Sequence, residues 1–252
     1  MSKPIVSIIT PVYNAARFIE ETYDSVKNQI LQEWEWVLVD DQSTDDSFQL
    51  LLELSVKDQR LKVHQLPENS GSGPARNLAI DLAQGTYLAF LDSDDIWTEN
   101  KLSRHVSFME KHQAAFSHTS YGFMNEAGEV INQTYHVSNK PVTYKDLLKR
   151  TEISCLTAMY NQDLIGKYYM PDLRRKQDYA LWLSILKAGH HAIPLDEELA
   201  FYRQVKGSAT NNKFKLIIKH LKFLREVEGL SVLHSLYFSF HWGINGVKKY
   251  YL

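Results

Sequence analysis

The chain lacks most of the features that would settle its class at a glance. Its 252 residues include one cysteine, Cys155, so no internal disulfide and no cysteine-rich zinc site can form. No apolar run approaches the roughly 18 residues needed to span a bilayer. The start, Met1 to Val6, carries no signal-peptide pattern, so the expected setting is reducing and cytoplasmic. A formal charge of −2 gives no basic field that would hold nucleic acid. Internal repeats and low-complexity segments are also missing. The hydrophobic content of 44% is that of a globular protein, and the length suits one large domain or one domain with an annex. Charge is unevenly placed. Residues 213–252 hold seven Lys and Arg against two Glu, a net +5, which leaves −7 on the first 212.

One stretch organises the rest, Tyr87-Leu88-Ala89-Phe90-Leu91-Asp92-Ser93-Asp94-Asp95-Ile96-Trp97. Five mostly apolar residues run straight into three acids. The run is too short for a helix and reads as a buried central strand. Strand side chains alternate faces, so Asp92 and Asp94 would point one way and Asp95 the other. Two carboxylates on one face repel each other, and a hard divalent cation would remove that repulsion. In open α/β sheets ligands bind at the carboxyl ends of strands, where these acids would sit.

The flanking pattern alternates strand and helix. Strands are predicted at Val6–Thr10, Trp34–Val39 and Leu61–Leu66. Asn14 and Thr44 are placed as starts of the intervening helices, and Asn69 to Pro74 as a loop. A helix follows with Ala75, Leu78, Ala79 and Leu82 on one face. This order implies a mainly parallel sheet. Beyond Trp97 the spacing predicts a helix from Thr98 to about His112 and a hairpin of 116–124 with 130–136. It also predicts a short helix opened by Thr143, strands at 154–160 and 199–203, a helix carrying Asp178, and a helical segment from Lys213.

Four motifs occur in one order: Val6 to Asn14, Val39 to Asp45, Asn69 to Asn77 with Ala75-Arg76-Asn77, and Phe90 to Asp95. This set resembles glycosyltransferase family 2, densely over residues 5–100 and more weakly to Arg203. Small bacterial transferases that build capsule, O-antigen or teichuronic acid are the most similar kind. The resemblance implies a GT-A fold, that is, a Rossmann-like nucleotide-diphosphosugar-binding α/β fold with a mainly parallel central sheet and a C-terminal helical extension. Residues 1–97 would form the nucleotide-sugar half, 98–212 the acceptor-side half and 213–252 a basic aromatic tail. The implied activity is an inverting, metal-dependent hexosyl transfer from a nucleotide-diphosphate sugar, with UDP expected. The acceptor would be a hydroxyl of a saccharide or lipid-linked saccharide.

Residue roles are implied in the same way. Asp41 would accept the uracil N3–H with Asp40 beside it, and Pro11, Val12, Tyr13 and Asn14 would border the uridine. Arg76 would meet the base or the diphosphate. Asp92 and Ser93 would lie near the ribose, and Asp94, with Asp92, would hold Mn²⁺ or Mg²⁺. Asp178 is the candidate general base, although Gln177-Asp178 departs from the usual Glu-Asp. Trp182 keeps the family's spacing, and Trp182, Arg203 and Lys206 are candidate phosphate or acceptor contacts. Asp95 is read as a helix-entry residue.

Three other readings stand beside this one. A haloacid dehalogenase-type phosphatase also places Asp-x-Asp after an apolar strand and would use Asp92 as nucleophile. Its motif, however, usually lies near the N-terminus and continues differently from Asp94-Asp95-Ile96. A dinucleotide oxidoreductase is disfavoured because Gly71-Ser72-Gly73-Pro74 is not a Gly-x-Gly-x-x-Gly turn. A non-catalytic sugar-nucleotide-binding scaffold would not need acids at both strand ends and at Asp178. For the tail, lysines interleaved with aromatics suit a peripheral membrane contact, a homodimer interface or packing on the core, and the sequence leaves all three open.

Overall fold

The structure is a computed structural model and describes residues 3–205 and 213–251. The first half is a run of strand–helix units: β1 (Val6–Val12), α1 (Ile19–Lys27), β2 (Trp34–Asp40), α2 (Ser47–Lys57), β3 (Leu61–Gln65), α3 (Ser72–Leu82) and β4 (Tyr87–Phe90). These strands pair in parallel in the order β3-β2-β1-β4. Their side chains alternate between two cores. Ile9, Val37, Val39, Leu88 and Phe90 enter one, and Ile8, Trp36, Leu38 and Ala89 enter the other. Both faces are therefore covered, as continuous apolar strands require.

The second half breaks the parallel pattern. It comprises β5 (Ile96–Trp97), α4 (Lys101–Lys111), β6 (Phe116–Asn125), β7 (Val130–Tyr135) and α5 (Tyr144–Lys149). A 3₁₀ turn (Cys155–Thr157), β8 (Met159–Asn161), α6 (Gln162–Ile165), α7 (Gln177–Lys187) and β9 (Ala192–Gln204) follow. Among the described residues one sheet of nine strands runs β3-β2-β1-β4-β8-β6-β9-β5, with β7 on β6. Four pairings are parallel and four antiparallel. The expected mainly parallel, Rossmann-like sheet is thus corrected to a mixed one. The cause is β8, a three-residue strand that returns antiparallel to β4 and extends the sheet on that side.

Local expectations also shift. Asn14 does not cap α1. It lies at φ 50°, and its Oδ1 accepts from the Thr44 backbone N–H at 2.8 Å. The helix α2 begins at Ser47 rather than Thr44. Thr143 does open α5, in a reciprocal capping box with Asp146. The predicted strand 199–203 lies near the end of the much longer β9, and the predicted strand 154–160 divides into the 3₁₀ turn and, from Met159, β8. Two final helices, α8 (Lys213–Glu226) and α9 (Val232–Tyr251), lie against α5 and each other, and Phe223, Leu224 and Phe238 enter the first core. No helix among the described residues is long and apolar enough to cross a membrane.

Candidate active site

At the carboxyl ends of β1, β2 and β4 lies a cavity of about 210 Å³ lined by Pro11, Val12, Tyr13, Asp41, Ser72, Arg76, Asp92, Ser93 and Asp94. Eight of these nine residues were predicted. Asn14, Asp40, Asp178, Trp182 and Arg203 do not line it, and Lys206 lies outside the described residues.

The two acids ending β2 are held by neutral donors. Asp41 Oδ1 accepts from Ser70 N–H at 2.7 Å and Oδ2 from Gly71 N–H at 2.8 Å. Gly71 makes that turn at φ 94°, a conformation that disfavours side chains. Asp40 is buried, and its Oδ2 accepts from Ser43 N–H at 3.0 Å and Gln65 Nε2 at 2.9 Å. Its Oδ1 has no partner.

The acids after β4 are arranged differently. Asp92 forms an ion pair with buried Arg76 from α3. The Asp94 carboxyl is pushed up to about 6, first by burial and then by repulsion from Asp92. Asp95 is no helix-entry residue, since α4 starts six residues later. It is buried, its Oδ1 accepts from Arg203 N–H at 2.8 Å, and its Oδ2 has no partner. Burial, then Asp94 and Asp92, hold its carboxyl well above the ordinary range.

Arg203, next to last in β9, acts as a clamp. Its Nε donates to the Asp94 carbonyl at 2.6 Å, and its Nη2 pairs with Glu21 Oε2 at 2.6 Å. The guanidinium also lies 5.0 Å from the Phe18 ring centre. It therefore ties the acid turn to α1. Trp182 is a core residue, packed edge-on to Phe90 at 5.0 Å and against Phe116 at 5.3 Å.

Asp178 lies in the first turn of α7 and is half-buried. Burial raises its carboxyl, Arg76 opposes that shift and Asp92 adds to it, so the three form one electrostatic group. The N-terminus of α7 abuts that of α3. Gln177 Nε2 lies 3.5 Å from Ser72 Oγ, and a side chain at Gly73 would meet Gln177 Cγ at 3.3 Å. The residue before α7, Lys176, is left-handed at φ 62°. Its ammonium donates to His220 Nδ1 at 2.7 Å and lies 4.9–5.5 Å from the rings of Trp242, Phe223 and Tyr179. Burial lowers Lys176 to about 8 and, with Lys176 adding to it, lowers His220 to about 3.

The sequence reading missed Ser72 and the Lys176–His220 cluster. For Ser72 the signal was present, a helix start directly after a Gly-containing loop. For the cluster nothing in the spacing brings 176, 220 and 242 together.

Among the described residues no three acids, histidines or cysteines form a self-sufficient metal centre. Asp92 and Asp94 nevertheless fit a hard cation that takes its other ligands from phosphate and water, as Mg²⁺ commonly does. The repulsion from Asp92 that helps raise Asp94 marks the point where a cation would be favoured.

The family model described as "Glycosyl transferase family 2" matches residues 7–168. A Bacillus subtilis protein, TuaG, whose name assigns it to teichuronic acid biosynthesis, is 42% identical over 98% of both chains. An Escherichia coli protein, WfgD, is 35% identical over 99% of this chain and 96% of its own. It is named as a UDP-Glc:α-D-GlcNAc-diphosphoundecaprenol β-1,3-glucosyltransferase. Among solved structures, Staphylococcus aureus TarS residues 1–349 in complex with UDP-GlcNAc superposes with a TM-score of 0.71. It is 23% identical, and the match covers 96% of this chain and 72% of that one.

Proposed function

This chain belongs to glycosyltransferase family 2, and we propose that it transfers a sugar, with inversion, from a UDP-sugar to a hydroxyl of a lipid-linked saccharide. The pathway in this reading is assembly of a bacterial surface polysaccharide, supported by the names of TuaG and WfgD. The observation that carries the reading is the convergence of Asp41, Arg76, Asp92 and Asp94 on one cavity, with Asp178 electrostatically joined to it.

Each residue then has a task. Asp41 is fixed by two backbone N–H groups and keeps lone pairs that can accept from a uracil N3–H. Tyr13, half exposed at the rim, offers a ring to the base. Arg76 and Asp92 orient the ribose and diphosphate. Asp92 and Asp94 would hold Mg²⁺ or Mn²⁺, which would offset charge on the departing diphosphate. Arg203 holds the acid turn in place. Asp178 takes the proton from the acceptor hydroxyl as its oxygen attacks the anomeric carbon. The bond from that carbon to the phosphate oxygen breaks, and its electron pair leaves with UDP. A carboxyl raised by burial is a stronger base than an exposed one.

The test is turnover of UDP-glucose with the GlcNAc-diphosphoundecaprenol acceptor named for WfgD. Asp178→Asn should cut kcat by about 10²- to 10⁴-fold while UDP still binds. Unchanged turnover in that variant would remove Asp178 from the chemistry. Turnover with a different nucleotide sugar would replace the donor.

A further inference from the structure

Helix α9 is inverted in polarity. Its core-facing side carries Ser235, Phe238, Ser239 and Trp242, with two serines essentially without solvent exposure. Its outward side carries Leu233, Leu236, Tyr237, Phe240 and Ile244. Leu233 is 80% exposed and Phe240 67%. Positions 233, 237, 240 and 244 fall at i, i+4, i+7 and i+11, one continuous stripe. By contrast, the outward side of α1 carries Glu20, Glu21, Asp24 and Lys27, as a solvated helix should. Contiguous exposed apolar surface of this kind marks an interaction site.

The surroundings indicate the partner. From Val232 to Gly246 the helix has no acidic or basic side chain except its histidines. Beside it, α8 exposes Ile217 and Ile218 with Lys219, Lys222 and Arg225, against one acid, Glu226. Ile217 Cδ1 lies 3.8 Å from where a side chain at Gly243 would begin, so the two helices share one surface. On the other flank, the Lys149 ammonium from α5 lies 5.9 Å from the Tyr237 ring centre, and Lys145 is exposed. A second copy docking by two-fold symmetry would bring these basic shoulders together and repel. An anionic bilayer would meet both the stripe and the shoulders.

We propose that the α8–α9 face is a peripheral membrane-binding surface for anionic lipid, with Leu233, Tyr237, Phe240 and Ile244 entering the interface. The opposite face of α9 reaches the site, because Trp242 stacks on His220 at 4.3 Å and His220 holds Lys176, two residues before Asp178. The α8–α9 layer thus joins the lipid-facing surface to the start of α7, which carries Asp178. The placement deepens the lipid-linked-acceptor reading, but the surface itself does not depend on it, and flotation tests the surface alone.

The experiment is vesicle flotation of the full chain, with Leu233→Glu/Phe240→Glu alongside and far-UV circular dichroism as the fold control. Wild type should float with phosphatidylglycerol–phosphatidylethanolamine vesicles, stay down with phosphatidylcholine, and be released at high salt. The double variant should lose about tenfold or more of its partitioning, because two charges replace two apolar anchors. Wild type failing to float with anionic vesicles would overturn the proposal. So would a double variant that floats equally well. Light scattering that shows a dimer broken by the same two substitutions would also overturn it and assign the face to a second copy. The lipid and salt dependence of wild type keeps the test decisive even if the double variant misfolds.

Discussion

Two pairs of acids lie at the carboxyl ends of β2 and β4, the two parallel strands that flank β1, and the protein treats them in opposite ways. Asp40 and Asp41, after β2, are met by backbone and amide donors. Asp92 and Asp94, after β4, face one arginine and each other, with Asp95 buried behind them. The first pair takes four hydrogen bonds from the fold and leaves one oxygen, Asp40 Oδ1, without any. The second keeps a repulsion between Asp92 and Asp94, which a bound cation would relieve. The difference arises from the segments packed against the two turns. At the end of β2, the loop between β3 and α3 turns the N–H groups of Ser70 and Gly71 onto Asp41. After β4, the turn is pinned from outside by Arg203, whose guanidinium binds a carbonyl rather than the acids.

The largest test of this contrast is Asp94→Asn. It should lower turnover by about a hundredfold or more while leaving the ligand-free fold intact, since it removes a repulsion. Kinetics paired with thermal unfolding would check it. A variant that unfolds instead would place Asp94 among the structural acids.

A buried basic group gives the same comparison from the other sign of charge. His220 is held near 3, below its ordinary value of 6.5, so the unfolded chain binds more protons than the folded one between those limits. Stability should therefore fall as pH drops from about 6.5 toward 3, with this residue contributing a slope of up to about 1.4 kcal/mol per pH unit. His220→Gln keeps an acceptor for Lys176 and should flatten that slope in denaturant titrations. An unchanged slope would show that His220 titrates normally.

Smaller effects separate the two acids of the first pair. Asp41→Asn sets an amide NH₂ against one of two backbone N–H donors and should cost about 1–3 kcal/mol. That corresponds to a Tm fall of roughly 3–10 °C. Asp40→Asn should cost about 1 kcal/mol or less, because one oxygen receives both bonds and the other has none to lose. Equal losses at the two positions would dissolve the distinction.

The donor side was legible because consecutive strand–helix units carry their motifs to one sheet edge, so chain order becomes spatial proximity. The family resemblance implied eight of the nine cavity residues, and that rule explains why they meet. The acceptor side was not legible in the same way. Trp182, four residues from Asp178, fits a site or a core equally well by spacing, and its neighbours Phe90 and Phe116 place it in the core. The antiparallel return through β8 depends on three residues and carries no periodic signal. The left-handed Lys176 is stabilised by residues about 45 and 65 positions away, which local pattern does not encode.

The most direct measurement is calorimetric titration of UDP with and without Mn²⁺, in wild type and in Asp94→Asn. Wild type should bind UDP more tightly when Mn²⁺ is present, and Asp94→Asn should bind it equally with and without the ion. An Mn²⁺ effect that survives in Asp94→Asn, or no UDP binding by wild type, would contradict the assignment of the β4 acids to a metal–diphosphate site.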